Sequence, residues 1–284
     1  MRWLIDADGV GKDYGRSTAL AGVSFGLSPG EVVGLAGANG AGKSTLFQLA
    51  MGFLEADRGR LAVLGGDPLQ RRHLGRVGWM PEQPSFPRGM RVSRLLGLQR
   101  ATFPTWDPAL SKELESRLEI DRRAVASAVS RGQKARIALL CALAHRPRLL
   151  LLDDPTLGLD PAARRLLLGE LLGAAVETGT GILISSQLLA EIEPALDRVL
   201  VIDRGRLLLD EEVESLRARW RRLELPLGAD LPADLQPLVT REAVFTACWD
   251  AETWAHYRRL HPEASARPAG LEDIFVALTQ ESPS

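Results

Sequence analysis

Val32-Val33-Gly34-Leu35-Ala36-Gly37-Ala38-Asn39-Gly40-Ala41-Gly42-Lys43-Ser44-Thr45 is the stretch on which the fold turns. Its first five residues form an apolar run after the turn signal Ser28-Pro29-Gly30, which predicts a strand buried on both faces. Gly37 to Ser44 fit the spacing G-x-x-x-x-G-K-[ST], and a helical segment follows directly. Strand, glycine loop and helix in that order make a cradle for phosphate. The glycines let backbone N–H groups close around the oxygens, and the helix N-terminus adds its positive end. Lys43 then meets the β and γ oxygens and Ser44 can bind magnesium. A plain glycine-rich turn is the competing reading, and the flanking strand and helix disfavour it.

Outward from this loop, short apolar runs alternate with longer helical segments from about residue 30 to 205. That alternation predicts an α/β fold with a mainly parallel sheet covered by helices. Leu149 to Leu152 and Ile182-Leu183-Ile184 read as further buried strands of the sheet centre. The first of these ends in Asp153-Asp154, at the carboxyl edge where open parallel sheets bind their ligands. Asp153 is placed to complete a magnesium shell, and Asp154 to orient or deprotonate a water beside the γ-phosphate. Val199 to Ile202, the turn Asp203-Arg204-Gly205-Arg206 and Leu207 to Leu209 read as a hairpin closing the sheet.

Between 88 and 148 the period becomes helical. Asp107-Pro108 reads as an N-cap with proline at the first helical position, and Leu110, Leu114 and Leu118 share one face. Ser130 and Gln133 have the spacing of a capping box, and Asp160-Pro161 reads as another N-cap. These features predict a helical lobe inserted at about 88–148. The segment Leu216 to Arg222 carries four arginines, and prolines at 226, 232 and 237 mark irregular connections beyond it. A boundary is expected there, between residues 1–215 and an accessory α+β unit at 216–284. In that unit a strand is expected at Ala243 to Trp249 and helices over Ala251 to Leu260 and Leu271 to Thr279. Trp249, Trp254 and Tyr257 would form its core. The arginines are expected on a solvated face, with acidic lipid headgroups as the alternative.

The 284 residues are 45% hydrophobic and 25% charged, a globular balance far from that of disordered chains. Lysine plus arginine (35) offset aspartate plus glutamate (36), so nucleic acid is not expected as a partner. Cys141 and Cys248 suggest neither a disulfide framework nor a zinc site, and fit a reducing compartment. His73, His145, His256 and His261 show no metal spacing and are expected at the surface or its boundary. The opening residues lack a signal-peptide core, and no run approaches the apolar length of a membrane span.

In combination these motifs closely resemble the ATP-binding subunits of ABC transporters, over about residues 3 to 215. The resemblance implies a P-loop NTPase with an antiparallel β part at its N-terminus. It makes Gly37 to Thr45 the Walker A loop, including Asn39, Gly40, Ala41, Gly42, Lys43 and Ser44. Asp153 becomes the Walker B aspartate, and Gly158-Leu159-Asp160 the D-loop. Tyr14 is then the aromatic that stacks on adenine. Ser130, Gly132 and Gln133 belong to the family signature, which contacts the γ-phosphate of ATP held by the opposite subunit. Val77 to Gln83 match the Q-loop, with either Glu82 or Gln83 in the magnesium-facing position. Arg131 within the signature, Thr105-Trp106-Asp107 and the tail Leu271 to Thr279 resemble bacterial subunits paired with a separate membrane permease, mostly exporters. The cofactors implied are ATP and Mg2+. The partners are the permease and a second ATP-binding subunit, alike or different, at the cytoplasmic face of the membrane.

At two positions this sequence departs from the family, and both concern hydrolysis. Asp154 stands where glutamate is usual, with a stem one methylene shorter, and Gln187 stands at the switch position usually held by histidine. A displacement of about 1 Å can cost on the order of 100-fold in rate, and glutamine cannot become cationic as imidazole can. The expectation is normal ATP and magnesium binding with slow turnover by Lys43, Asp154 and Gln187. The alternative is a regulatory or degenerate module that binds ATP and dimerises with little turnover. A soluble ABC ATPase acting on ribosomes or DNA ends is disfavoured, because the chain has neither a second cassette nor a long coiled-coil insertion.

Overall fold

The computed structural model describes residues 3–70, 73–157, 159–186, 189–226, 233–236, 238–239 and 243–280. In chain order its strands and helices begin with β1 (Ile5–Tyr14), β2 (Ser17–Leu27), β3 (Val32–Ala36), α1 (Lys43–Ala50), β4 (Arg58–Val63) and β5 (Val77–Met80). The lobe follows as α2 (Val92–Thr102), α3 (Pro108–Arg117) and α4 (Arg131–Leu143). Next come β6 (Leu149–Asp153), α5 (Pro161–Thr178), β7 (Gly181–Ser185), α6 (Leu189–Ile192), β8 (Arg198–Asp203) and β9 (Arg206–Glu212). The remainder comprises α7 (Val213–Arg219), β10 (Arg221–Glu224), β11 (Leu238–Val239), β12 (Val244–Thr246), α8 (Ala251–Leu260), β13 (Ser265–Pro268) and α9 (Leu271–Gln280).

The central sheet has the order β5-β6-β7-β3-β8-β9, parallel except for the hairpin partner β9. Its strands alternate apolar side chains between two cores. Val32, Ala36, Leu150, Leu152, Ile182 and Ile184 face the cluster under α2, α4 and α5, while Val33, Leu35, Leu149, Leu151 and Leu183 face the cluster containing α1. Burial on both faces is why these runs are continuously apolar. Leu149 to Leu152 are each 0% exposed, and burying such a side chain stabilises by about 1.5–3 kcal/mol. A separate antiparallel sheet, β2-β1-β4, covers the α1 side. In the second cluster Phe47 of α1 meets Trp79 of β5 with ring centroids 5.6 Å apart.

The parallel register decides where the site forms. Met80 pairs with Leu152, Asp153 with Ser185, and Leu35 with Ser185. The carboxyl ends of β5, β6, β7 and β3 therefore lie side by side, and the loops after them meet along one edge.

The C-terminal segment forms its own sheet, β11-β12-β10-β13, beside α8. Trp254 and Tyr257 are buried there with Leu223, Leu235 and Ala264, and Trp249 packs against them, as the sequence predicts. The strand expected at Ala243 to Trp249 is shorter, Val244–Thr246, because Cys248 N–H turns back to the Thr246 hydroxyl. Helix α7 runs through the position expected for the boundary. Trp220, Phe245, Leu271, Ile274 and Ala277 all belong to the large core that also holds Val32 and Ala36. The four arginines have internal partners: Arg217 pairs with Glu193, Arg219 with Glu211 and Arg222 with Asp273, while Arg221 lies 5.0 Å from the Trp249 ring centre. Arg217 and Arg219 stay about half exposed beside these partners, in keeping with the solvated face expected.

One histidine departs from expectation. His145 is 1% exposed, stacked on Phe103 at 4.3 Å, with Nδ1 3.1 Å from the Cys141 carbonyl and Nε2 3.3 Å from that of Val77. It links α4 to β5 inside the core, and burial pushes its pKa down, with the two main-chain carbonyls acting against that shift. No spacing rule marks a histidine whose partners are main-chain carbonyls. Cys141 of α4 is partly buried against the large core, and burial pushes its thiol up to about 12. Among the described residues, no helix is long and apolar enough to cross a membrane.

Candidate active site

The loop between β3 and α1 has the shape that its glycines permit. Gly42 caps α1 with φ of 113°, and a Cβ there would lie 2.5 Å from the Ala19 carbonyl oxygen. A Cβ on Gly37 would lie 2.6 Å from the Ile202 carbonyl oxygen, so both positions exclude any side chain. Behind the loop, Gly205 N–H in the β8–β9 turn donates to the Ala41 carbonyl at 3.0 Å, which ties the hairpin to the loop's back. Lys43 is 8% exposed, and its Nζ donates to the carbonyls of Gly37 (2.6 Å) and Ala38 (3.1 Å). Burial lowers its pKa, and Asp153, Asp154 and Glu82 act against that shift.

A cavity of about 240 Å3 opens over this loop. Asn39, Gly40, Gly42, Lys43, Ser44 and Thr45 line one side of it. Asp153 and Asp154 from the end of β6, and Glu82 after β5, line the other. Of the two Q-loop candidates, Glu82 faces the cavity, while Gln83 is exposed and outside its lining. Gly37 and Ala41 lie behind the loop surface. Tyr14, 48% exposed at the end of β1, stands outside the phosphate cavity, and Ala19 of β2 reaches its wall.

Asp153 and Asp154 differ sharply in setting. Asp153 Oδ1 accepts from the Ser185 hydroxyl at 2.7 Å, and the Asp154 N–H donates to the same hydroxyl at 2.9 Å. Asp154 has a left-handed backbone, φ 48°, uncommon for a residue with a Cβ and often stored at functional sites. Its Oδ2 is buried without a hydrogen-bond partner. Burial raises its pKa to about 6, with Glu82 and Asp153 adding to the shift and Lys43 and Arg131 opposing it. Ser185 is a residue of this cluster to which the sequence reading gave no role. A serine ending a strand is unremarkable until the strand pairing places it beside Asp153.

Ser44, Asp153 and Glu82 present oxygen donors only, which suits a hard divalent cation, and the orphaned Asp154 oxygen adds negative charge beside them. Among the described residues, no three His, Cys, Asp or Glu side chains are grouped to hold a metal by themselves. The oxygen donors of Ser44, Asp153 and Glu82 fit Mg2+, which is usually carried in part by substrate phosphates and water.

The signature residues lie elsewhere. Ser130 and Gln133 cap α4 reciprocally, with Ser130 Oγ accepting from Gln133 N–H at 3.3 Å and Gln133 Oε1 accepting from Ser130 N–H at 3.2 Å. Asp160 caps α5 by accepting from Ala162 and Ala163 N–H, and these hydrogen bonds hold its carboxyl below the usual range. Ser130, Gly132, Gln133 and Asp160 line a second, open hollow, distinct from the cavity at the phosphate loop. Gly158 and Gln187 lie outside the described residues.

Residues 20–157 match the family model described as ABC transporter. A Nod factor export ATP-binding protein I of Paraburkholderia xenovorans is 33% identical, over 97% of this chain and 96% of its own length. A solved ATP-binding subunit of an ABC transporter superposes with a TM-score of 0.70 at 26% identity, covering 76% of this chain and 92% of that one. A bacterial Atm1-family ABC exporter with ATP bound gives a TM-score of 0.67 at 25% identity, over 77% of this chain and 40% of that one.

Proposed function

The chain belongs to the ABC transporter family of ATP-binding proteins, and from that premise we propose that it is the ATP-hydrolysing subunit of a membrane exporter. The observation that carries this reading is the separation of its two nucleotide surfaces. Lys43, Ser44, Asp153 and Asp154 line one cavity, and Ser130, Gly132 and Asp160 line another. Each is half of a site, and a second subunit facing the first completes both. ATP-dependent closure of two subunits then moves a separately encoded permease, which carries the exported substance. Residues 216–284 form an accessory unit in this proposal, anchored to the ATPase core through α9.

In each composite site Lys43 releases its loop carbonyls to meet the β- and γ-phosphate oxygens, and the loop N–H groups and the α1 N-terminus hold the rest of the chain of phosphates. Tyr14 stacks on the adenine. Magnesium, when bound through Ser44, Asp153 and Glu82 with phosphate and water, would neutralise charge developing on the phosphates. Asp154 orients the attacking water and takes its proton. The water oxygen bonds to the γ-phosphorus as the bond to the β–γ bridging oxygen breaks, leaving ADP and phosphate. Ser130 and Gly132 of the facing subunit close on the γ-phosphate. The short arm of Asp154 and the uncharged Gln187 support slow turnover relative to a glutamate–histidine pair.

The test is ATP hydrolysis by the purified chain alone and with its permease, in single-turnover and steady-state form, alongside ATP-dependent dimerisation. Turnover stimulated by the permease and lost in Lys43→Ala is the expected result. Tight binding and dimer closure with no turnover in either setting would overturn the motor reading.

A further inference from the structure

We propose that Ser185 is a positioning residue for hydrolysis, its one hydroxyl setting both the Asp153 side chain and the Asp154 main chain against the phosphate loop. The inference rests on the reading of Asp154 as the hydrolytic carboxylate.

The register pairs Ser185 at the end of β7 with Asp153 at the end of β6, and Ser185 is 0% exposed. Its Oγ makes two hydrogen bonds of opposite sense. The Asp154 main-chain N–H can only donate, so Oγ accepts from it at 2.9 Å. The single hydroxyl proton is thereby committed to Asp153 Oδ1, 2.7 Å away. One oxygen of Asp153 is engaged and its plane is set, which leaves Oδ2 as the oxygen to offer a cation. Groups that orient a metal-facing carboxylate in this way tune affinity without touching the metal.

The second bond acts on the backbone. Asp154 is held at φ 48°, a conformation that residues with a Cβ rarely adopt and that persists only where neighbours enforce it. The N–H bond to Ser185 is such a constraint, made from the residue just past β6 to the last residue of the neighbouring β7. Because the Asp154 side chain is short, the position of its main chain decides how far the carboxylate reaches. A displacement of about 1 Å is costly at this point. Without the hydroxyl, a buried N–H loses its acceptor and Asp153 loses its donor together.

The experiment compares Ser185→Ala, Ser185→Thr and Ser185→Cys with the parent, in the full chain assembled with its permease. It records kcat and KM for ATP, the Mg2+ concentration at half-maximal binding of a fluorescent ATP analogue, and thermal melting. Ser185→Ala is expected to melt cooperatively with KM little changed. Its kcat should fall by roughly 10- to 100-fold and its Mg2+ midpoint should rise by about the same factor. Ser185→Thr, which keeps the hydroxyl, restores both, and Ser185→Cys, a weak donor, falls between. Parental kcat and Mg2+ midpoint in the alanine or cysteine variant would overturn the proposal. So would a threonine variant as impaired as alanine while melting like the parent. If the parent itself shows no turnover, the motor reading fails, and the Mg2+ midpoints still decide the role of Ser185.

Discussion

Main-chain geometry at single residues sets the phosphate loop and the carboxylates beside it. Gly40 and Gly42 both have positive φ, but a Cβ on Gly40 meets nothing within 4 Å, whereas one on Gly42 meets the Ala19 carbonyl. Gly40→Ala is therefore expected to cost about 1–2 kcal/mol, the penalty of the left-handed region alone. Gly42→Ala should abolish ATP binding and melt at markedly lower temperature; equal nucleotide affinity in the two variants would contradict this. The sequence alone marked both glycines without distinguishing them, because the difference lies in the approach of β2. At the hydrolytic end, Asp154→Glu combined with Gln187→His in the assembled transporter should raise steady-state ATPase by on the order of tenfold or more. A rate no faster than the parent's would show that the left-handed backbone already compensates for the short side chain. His145 supplies a pH dependence. Its folded pKa lies below that of the unfolded chain, so the unfolded state binds more protons at acidic pH. The stability due to the neutral ring is full above about pH 6.5 and declines as pH falls from there toward the folded pKa. The melting temperature of His145→Leu should be less sensitive to acidification over that window, read by thermal melts at several pH values.

The helices begin where the sequence says they begin, because the signals are local. Asp107 accepts from Ala109 and Leu110 N–H and also pairs with Arg146 at 2.7 Å, so the cap that starts α3 also fastens it to the chain after α4. Ser130 starts α4 with a complete capping box, the bland reading of that pair, while the same residue lines the hollow given to the partner's nucleotide. The two roles separate in Ser130→Ala. Loss of the cap should cost about 1 kcal/mol in a thermal or urea melt of the isolated chain. ATPase of the assembled transporter should fall much further than that change accounts for. A loss of activity that simply tracks the fraction unfolded would leave Ser130 as a cap and nothing more.

Across the whole molecule, the C-terminal segment is less separate than its irregular connections suggest. Glu193, just after α6, pairs with Arg217 at 2.9 Å and accepts from the Leu271 N–H at 3.4 Å, while Ile274, 1% exposed, reaches the main core. Ile274→Ala is expected to cost about 2–5 kcal/mol and to lower a single calorimetric transition; a tail that melts first in the parent would refute this integration. The parallel sheet, phosphate loop, helical lobe and caps were legible from residues 30 to 205 because each depends on apolar period or on residues within a few positions of one another. The family likeness was legible for the same reason, as ordered short motifs. Long-range pairing was not encoded in any local window. Only the register of β6 against β7 set Ser185 beside Asp153, only the loop path after β5 chose Glu82 over Gln83 for the cavity, and only packing buried His145 and drew α9 into the core. Neighbours far apart in the chain are selected by the packing of the whole fold, so those assignments belonged to the tertiary structure alone.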